Sequence, residues 1–160
     1  MKKVFITISF ISIAFLGISQ SIKKVKINDL LQEINASAEP TIINFWASWC
    51  KPCLEEIPWI EQNVDSIKNT PIKLILVSLD IKADYPNNIT AFVQKNKYRS
   101  EVVWLDESNA NMYCPKIDRN WFGNLPVTLF INRKKGYRKF YNQQISAPQF
   151  KIALHELLNN

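Results

Sequence analysis

Along the chain the apolar positions fall into runs whose period changes from one segment to the next. Val4 to Ile18 is mostly apolar and carries no charge. Asn28–Asn35 sets Leu30, Leu31 and Ile34 at helical spacing, with Asn28 or Asp29 available as the cap. Thr41–Trp46 (Thr-Ile-Ile-Asn-Phe-Trp) is β-branched and aromatic and predicts a strand. Cys50 to about Lys68 predicts a helix with Pro58 inside it, where a kink is expected. Pro71 precedes Ile72–Leu79, a nearly continuous apolar run of the kind found in strands covered on both faces. Asn88–Asn96 predicts a helix with Ile89, Phe92 and Val93 on one side, and Glu101–Leu105 a short strand. Asp106 to about Asp118 is polar and reads as partly helical. Val127–Asn132 and Tyr137–Tyr141 predict two strands, and their short link Arg133-Lys134-Lys135-Gly136 makes them a hairpin. Ser146 opens the last helix, with Gln149 completing a capping box and Pro148 in the first turn. Ile152, Leu154, Leu157 and Leu158 are its expected buried residues.

The order is β-α-β-α-β, then a β-hairpin, then a helix. Parallel strands with crossover helices, ending in an antiparallel hairpin, predict an α/β sandwich: a central mixed sheet with helices on both faces. The length of 160 residues suits one domain with a real core, and 47% hydrophobic with 21% charged residues is a globular composition. Three glycines leave little room for a Gly-rich phosphate loop. No repeat, low-complexity stretch or linker divides the chain.

The N-terminus has its own logic. Lys2 and Lys3 precede the apolar run, and Gly17 and Ser19 place small residues at −3 and −1 of a cleavage point after Ser19. This is the layout of a secretory signal peptide over residues 1–19, leaving a domain over 20–160. The run is shorter than the roughly 20 residues of a bilayer span; left uncleaved, it would act as a membrane anchor. Export, to the periplasm or beyond, places the protein where disulfides form. Loss of Lys2 and Lys3 lowers the formal charge of +6 to about +4. The densest basic cluster, Arg133–Lys135, sits at the hairpin tip and reads as a solvated turn. A nucleic-acid binder carries a dense basic stripe on one face, so no nucleic acid is expected as partner, and the chain is expected to be a monomer.

The candidate chemistry lies in Trp49-Cys50-Lys51-Pro52-Cys53. A Cys-x-x-Cys that follows a strand and opens a helix puts Cys50 at the helix N-terminus, where unpaired N–H groups and the helix dipole stabilise a thiolate. The thiolate is the attacking species in thiol–disulfide exchange. Cys53, one turn later, can resolve the mixed disulfide. Pro52 falls in the first turn, where its missing N–H costs little. A zinc ribbon needs a second pair of ligands; only Cys114 and His155 remain, so no metal is expected. A purely structural disulfide is the other reading, and a tight helix-N-terminal pair is a poor staple for a domain of this size.

The segment Phe45-Trp46-Ala47-Ser48-Trp49-Cys50-Lys51-Pro52-Cys53, with Pro58 five residues on, resembles the thioredoxin active site. Leu125-Pro126-Val127-Thr128, just before the hairpin, is the second family mark. Asn44, where cytoplasmic thioredoxins have an acid, is more similar to the exported branch that includes TlpA-like and cytochrome-maturation thiol reductases. The resemblance runs from about Ile27 to Leu158. It implies a thioredoxin-like three-layer sandwich, a cis peptide before Pro126, and Pro126 facing the Cys pair. It also implies that Pro126 and the backbone of Leu125 flank the sulfurs and offer substrate backbone an edge to pair with. Cys50 is then the nucleophile and Cys53 the resolving thiol, with the redox disulfide itself in place of any cofactor. Protein thiols and disulfides are the implied substrates, and a membrane or periplasmic protein the electron donor.

Other residues have two readings each. Trp46 is a wall of the site or plain core; Trp49 is an exposed rim that meets substrate. Lys51 is a cation within reach of the thiolate, which would lower its pKa, or a solvated side chain. Asn44 cannot titrate, so another group must take the Cys53 proton. Asp80, at the carboxyl end of a central strand where α/β sites form, is the candidate; its plain reading is a cap or loop charge. Glu55 and Glu56 are expected to face water. Cys114 reads as a small buried residue, His155 as surface, and Trp121 and Phe122 as either a substrate-facing rim or packing. Three functions stay open: a thiol–disulfide reductant, a metal- or partner-binding module, and a thiol peroxidase. Lys51-Pro52 between the cysteines resembles reducing members, near about −270 mV against about −120 mV for a strong oxidant. A peroxidase would need Thr or Ser at position 47, which is Ala, with an Arg close by.

Overall fold

The computed structural model describes residues 22–159. The expected signal segment, residues 1–19, lies outside them. Six strands form one sheet: β1 (Lys23–Val25), β2 (Thr41–Trp46), β3 (Lys73–Ser78), β4 (Glu101–Leu105), β5 (Val127–Asn132) and β6 (Tyr137–Tyr141). Their order across the sheet is β1-β4-β3-β2-β5-β6. The first four are parallel, β5 runs antiparallel to β2, and β6 antiparallel to β5. Five helices cover it: α1 (Ile27–Ala36), α2 (Lys51–Asp65), α3 (Asn87–Asn96), α4 (Ala110–Ile117) and α5 (Ala147–Asn159).

Two cores follow from the period-2 alternation of the central strands. Ile42 and Trp46 of β2 point to one face, where Ile57 and Ile60 of α2, Ile89 and Val93 of α3 and Phe150 and Ala153 of α5 close over them. Ile43 and Phe45 point to the other, against Leu30 and Ile34 of α1 and Cys114 and Ile117 of α4. The architecture is the expected three-layer α/β/α sandwich. β2 is buried along its whole length because it is central and covered on both sides.

Some details depart from expectation. β1 was not expected: it is three residues long, two of them exposed lysines, and so carries no apolar pattern. α1 begins one residue earlier than Asn28, at Ile27, with Lys26 as its N-cap: Asp29 reaches back to accept from the Lys26 N–H at 3.3 Å, and Glu107 accepts from the Ile27 N–H at 3.0 Å. α2 is continuous from Lys51 to Asp65 with Pro58 inside it and stops short of the expected Lys68. In α5 the expected buried face is shifted. Ile152 is exposed and Leu158 only half-buried, while Phe150 and Ala153 join Leu154 and Leu157 in the core. The Ser146 cap is as expected, with its N–H donating to Gln149 Oε1 at 3.0 Å. Among the described residues no helix is long and apolar enough to cross a membrane.

Candidate active site

The redox pair sits where β2 hands over to α2. Leaving the buried end of β2 at Trp46, the chain turns so that the Cys50 N–H donates to the Ala47 carbonyl at 3.0 Å, and Cys50 becomes the N-cap of α2. Pro52 occupies the first turn. Cys50 and Cys53 are joined in a disulfide, with Cα atoms 5.3 Å apart. Cys50 is 5% exposed and Cys53 is fully buried. Of the pair, only Cys50 reaches the surface.

Asp80 holds the loop that presents Cys50. The residue follows β3, and its carboxylate is buried. It accepts from the Ser48 N–H (3.0 Å), the Ser48 hydroxyl (2.6 Å) and the Ser78 hydroxyl (2.7 Å). Its carbonyl accepts from Trp104 Nε1 at 2.8 Å. The carboxylate is thus committed to Ser48, two residues before Cys50, in the manner of a loop anchor.

Sequence reasoning placed Glu56 in water, and the structure corrects this: its side chain is fully buried. Cys53, Glu56, Ile57, Ile60 and Glu61 form the inward stripe of α2, at the i, i+3, i+4, i+7, i+8 spacing of a core-facing helix. Register, not polarity, decides where Glu56 points. Glu55, one residue earlier, is exposed as expected. Glu56 lies three residues after Cys53, on the same face, where side chains are neighbours.

The pocket around Glu56 is polar by design of the strands beneath. Asn44 and Thr128 are directly opposed across β2 and β5. Asn44 Nδ2 donates to Glu56 Oε1 at 2.8 Å and to Thr128 Oγ1 at 2.9 Å. The Ile145 N–H, in the segment entering α5, donates to Glu56 Oε2 at 3.1 Å. Burial pushes the Glu56 carboxyl up to about 7, against the two hydrogen bonds that favour its ionised form. Among the described residues, Asn44 Oδ1 and Trp46 Nε1 are buried without a hydrogen-bond partner.

The remaining residues divide as follows. The Leu125–Pro126 peptide is cis, and so is Tyr85–Pro86, which the sequence did not suggest. Pro126 is buried, and Leu125 is half-buried between the two cores. Trp46 is core, packed on Phe92 and Tyr98, in the same cluster as Cys50 and Cys53. Trp49 is 67% exposed, and Lys51 is exposed. Gln144 Nε2 donates to the Pro52 carbonyl at 3.1 Å, tying the segment before α5 to the start of α2. Trp121 is buried and Phe122 is exposed, so the two aromatics part company. Cys114 is a buried free thiol, pushed up to about 11 by burial. His155 is exposed. Among the described residues no group of three or more His, Cys, Asp or Glu side chains could hold a metal ion.

A parallel β-α-β core closed by an antiparallel hairpin, with a Cys-x-x-Cys disulfide opening α2 and a cis-proline entering β5, defines a thioredoxin-like protein. Within that class the chain belongs to the AhpC/TSA family, whose sequence model matches residues 13–139. It is similar to sporulation thiol-disulfide oxidoreductase A of Bacillus subtilis, 27% identical over 113 residues, covering 71% of this chain and 65% of that protein. It is also similar to the thiol-disulfide oxidoreductase ResA of Oceanobacillus iheyensis, 38% identical over 39 residues, or 24% of this chain and 20% of the relative. The chain thus spans less than two thirds of the length of these relatives. The solved structure of a thioredoxin-related protein from Neisseria meningitidis serogroup B shares the fold with a TM-score of 0.65 at 21% identity. That match covers 79% of this chain and 90% of the other.

Proposed function

We propose that the protein is an exported thiol–disulfide oxidoreductase that works as a reductant, with Cys50 as nucleophile, Cys53 as resolving thiol and Glu56 as the group that takes the Cys53 proton. The observation that carries this reading is a fully buried carboxylate one helical turn beyond the buried member of a Cys-x-x-Cys disulfide.

The cycle starts from the dithiol. At the N-cap of α2, Cys50 faces the first-turn N–H groups; Pro52 lacks one, so the Cys53 N–H is the donor left for a Cys50 thiolate. That thiolate attacks one sulfur of a protein disulfide. A mixed disulfide forms and the other substrate sulfur leaves as a thiolate. Glu56 accepts the proton of the Cys53 thiol. The Cys53 thiolate then attacks Cys50 Sγ, closing the Cys50–Cys53 disulfide and releasing the second substrate sulfur as a thiolate. Two electrons pass from the Cys pair to the substrate, and a partner dithiol returns them by the reverse exchange. The Cys pair carries the electrons, so the reaction asks for no bound cofactor.

Glu56 suits this task because an effective proton acceptor has a pKa near the working pH, and burial puts it at about 7. Asn44 lets the pocket accommodate both states. Its Nδ2 donates to the carboxylate; a half-turn of the amide would present Oδ1, which has no partner at present, to a protonated Glu56. Asp80 in this reading positions the Ser48–Cys50 loop and leaves proton transfer to Glu56. Pro126 and Leu125 flank the sulfurs, and Trp49 meets substrate, as the family resemblance implies. The N-terminal segment exports the protein and is either removed or kept as an anchor.

Insulin reduction tests the proposal. The wild-type protein should precipitate insulin B chain in the presence of dithiothreitol, and Cys50→Ser should be inactive. Full activity in Cys50→Ser would remove Cys50 from the nucleophile's role.

A further inference from the structure

Charge is distributed unevenly along the strand direction. The amino ends of β2, β3 and β4 lie together, and β5, antiparallel to β2, delivers the Arg133–Lys135 turn to that same end. α3 closes there with Lys95 in its last turn and Lys97 as its C-cap, and Lys68 stands between the C-terminus of α2 and β3. All of these cations are exposed, and among the described residues none of them forms an ion pair. Lys68, Arg133 and Lys135 donate instead to neutral oxygens: the Asp65 carbonyl, Asn35 Oδ1 and the Leu158 carbonyl.

The carboxylate side chains at this end are mostly spent on other partners. Glu33 and Glu101 pair with Lys73, Asp65 pairs with Arg99, and Glu61 is buried on the Arg99 and Ser100 N–H groups, which leaves Glu39 exposed. At the Cys50 end the signs are mixed. Lys26 pairs with Asp106, Lys82 lines a cavity with Asp106 and Glu107, and Asp84 lies two residues beyond Lys82. The positive excess of the domain therefore gathers away from the redox pair. Taken alone, the Arg133–Lys135 turn is a solvated hairpin tip. The fold joins it to its neighbours: Lys134 and Lys135 line a cavity of about 350 Å³ together with Thr70 and Pro71, in the loop that bears Lys68.

The chain also enters the sheet from this side. β1 begins at Lys23 and runs parallel to β4, and the sequence before it holds Lys2, Lys3 and the uncharged run Val4–Ile18. Cys50 stands at the opposite end, about 20 Å away along the six residues of β2. We propose that the end formed by Lys68, Lys95, Lys97 and the Arg133–Lys135 turn rests on an anionic lipid surface, so that Cys50 is presented to partner proteins on the side away from the membrane. The proposal depends on the export reading above only for where the protein meets a membrane. Charge complementarity selects the occupant, since anionic headgroups attract clustered Lys and Arg near a surface. The apolar run enters at the end that would lie on the lipid, and the opposite orientation would press the disulfide against the bilayer.

The test uses the full chain with vesicles of phosphatidylcholine, alone or with phosphatidylglycerol added. Lysine acetylation by a membrane-impermeant reagent is read residue by residue. Phosphatidylglycerol should slow acetylation of Lys68, Lys97, Lys134 and Lys135 by about tenfold and leave Lys51 and Lys82 unchanged. The effect should vanish in about 1 M NaCl, where the Debye length falls to about 3 Å. Replacing the turn by Arg133→Gln, Lys134→Gln and Lys135→Gln together should release Lys68 and Lys97 from protection. Insulin reduction in solution should stay at the wild-type rate in this variant, which shows that it folds. Equal acetylation in the two vesicle types overturns the proposal. So does protection of Lys51 and Lys82, which would set the Cys50 end on the membrane. Protection by heparin with none by phosphatidylglycerol also overturns it and assigns this end to a soluble polyanion. Insulin reduction by wild type reports the redox reading separately: its loss would leave the lysine protection standing.

Discussion

Asn44 Nδ2 lies 2.8 Å from Glu56 Oε1, between two side chains that are both fully buried. The exported branch of the thioredoxin-like proteins that this chain resembles has Asn where cytoplasmic thioredoxins keep an acid on the strand. Here the buried carboxylate stands on the helix instead, and the strand residue is its hydrogen-bond donor. In the proposed mechanism the Cys53 proton goes to this carboxylate on α2 rather than to a group on β2.

Glu56→Gln should slow the closing of the Cys50–Cys53 disulfide about 100-fold, within the range of lost general-base catalysis, with little effect on the first attack by Cys50. Asn44→Ala should act in the other sense on the carboxyl. Removing the donor leaves burial unopposed on that oxygen, so the pH at which the closing step reaches half its maximum moves upward from about 7. Stopped-flow tryptophan fluorescence across pH 5–9 separates the two, because Glu56→Gln should flatten this limb and Asn44→Ala should displace it.

The same group makes stability depend on pH. The folded-state pKa of Glu56 is raised above its unfolded value of 4.5 to about 7. The protonated form is therefore the one that folding favours. Its contribution is fully present below about pH 4.5 and is lost as pH rises through about 7, a change on the order of 3 kcal/mol. Urea denaturation of the oxidised protein at pH 4.5 and pH 8 should show this loss in wild type and not in Glu56→Gln.

Asp80→Ala should destabilise the fold by about 2–4 kcal/mol, since it strips the Ser48 N–H and the Ser48 and Ser78 hydroxyls of their acceptor. With the loop unanchored, the rate of Cys50 alkylation should change while the pH dependence of the closing step stays that of Glu56. If Asp80→Asn instead removed the pH dependence near 7, Asp80 would be the proton acceptor and Glu56 would not.

Cys114 should be silent in the native state. It is buried on the sheet-facing side of α4, and its thiol is held at about 11, so iodoacetamide at pH 8 should modify Cys50 of the reduced protein and reach Cys114, like the buried Cys53, only in denaturant.

The direction of electron flow rests on the Lys51-Pro52 dipeptide. Equilibration of the Cys50–Cys53 pair with glutathione should give a potential below about −200 mV, on the reducing side. A value well above that would mark an oxidase.

Much of this was legible in the chain. Thr41–Trp46, Glu101–Leu105 and both hairpin strands coincide with the structure because each is a β-branched or aromatic run between clear turn signals. The Cys50–Cys53 pairing and the cis peptide before Pro126 were legible because each belongs to a short local motif. β1 was not, since a three-residue edge strand with two exposed lysines is defined by its pairing with β4 alone. Glu56 was misread because polarity was allowed to outweigh register. Counting three from Cys53 and one back from Ile57 places it on the buried stripe, and the partner that makes burial tolerable, Asn44, is twelve residues away on another element. The sequence alone does not separate Phe122 from Trp121, for a related reason. The choice of which aromatic turns inward is made by Gly123 and by hydrogen bonds to Asn142, which lies eighteen residues beyond Asn124.

Mixed-disulfide trapping addresses the redox pair most directly. Reduced Cys50→Ser and Cys53→Ser proteins are mixed with a disulfide-linked peptide and followed by intact mass. Cys53→Ser should accumulate one peptide adduct per chain, on Cys50, while Cys50→Ser should accumulate none over the same time, because the Cys53 sulfur is fully buried. An adduct on Cys53 in Cys50→Ser, with none in Cys53→Ser, would contradict the assignment.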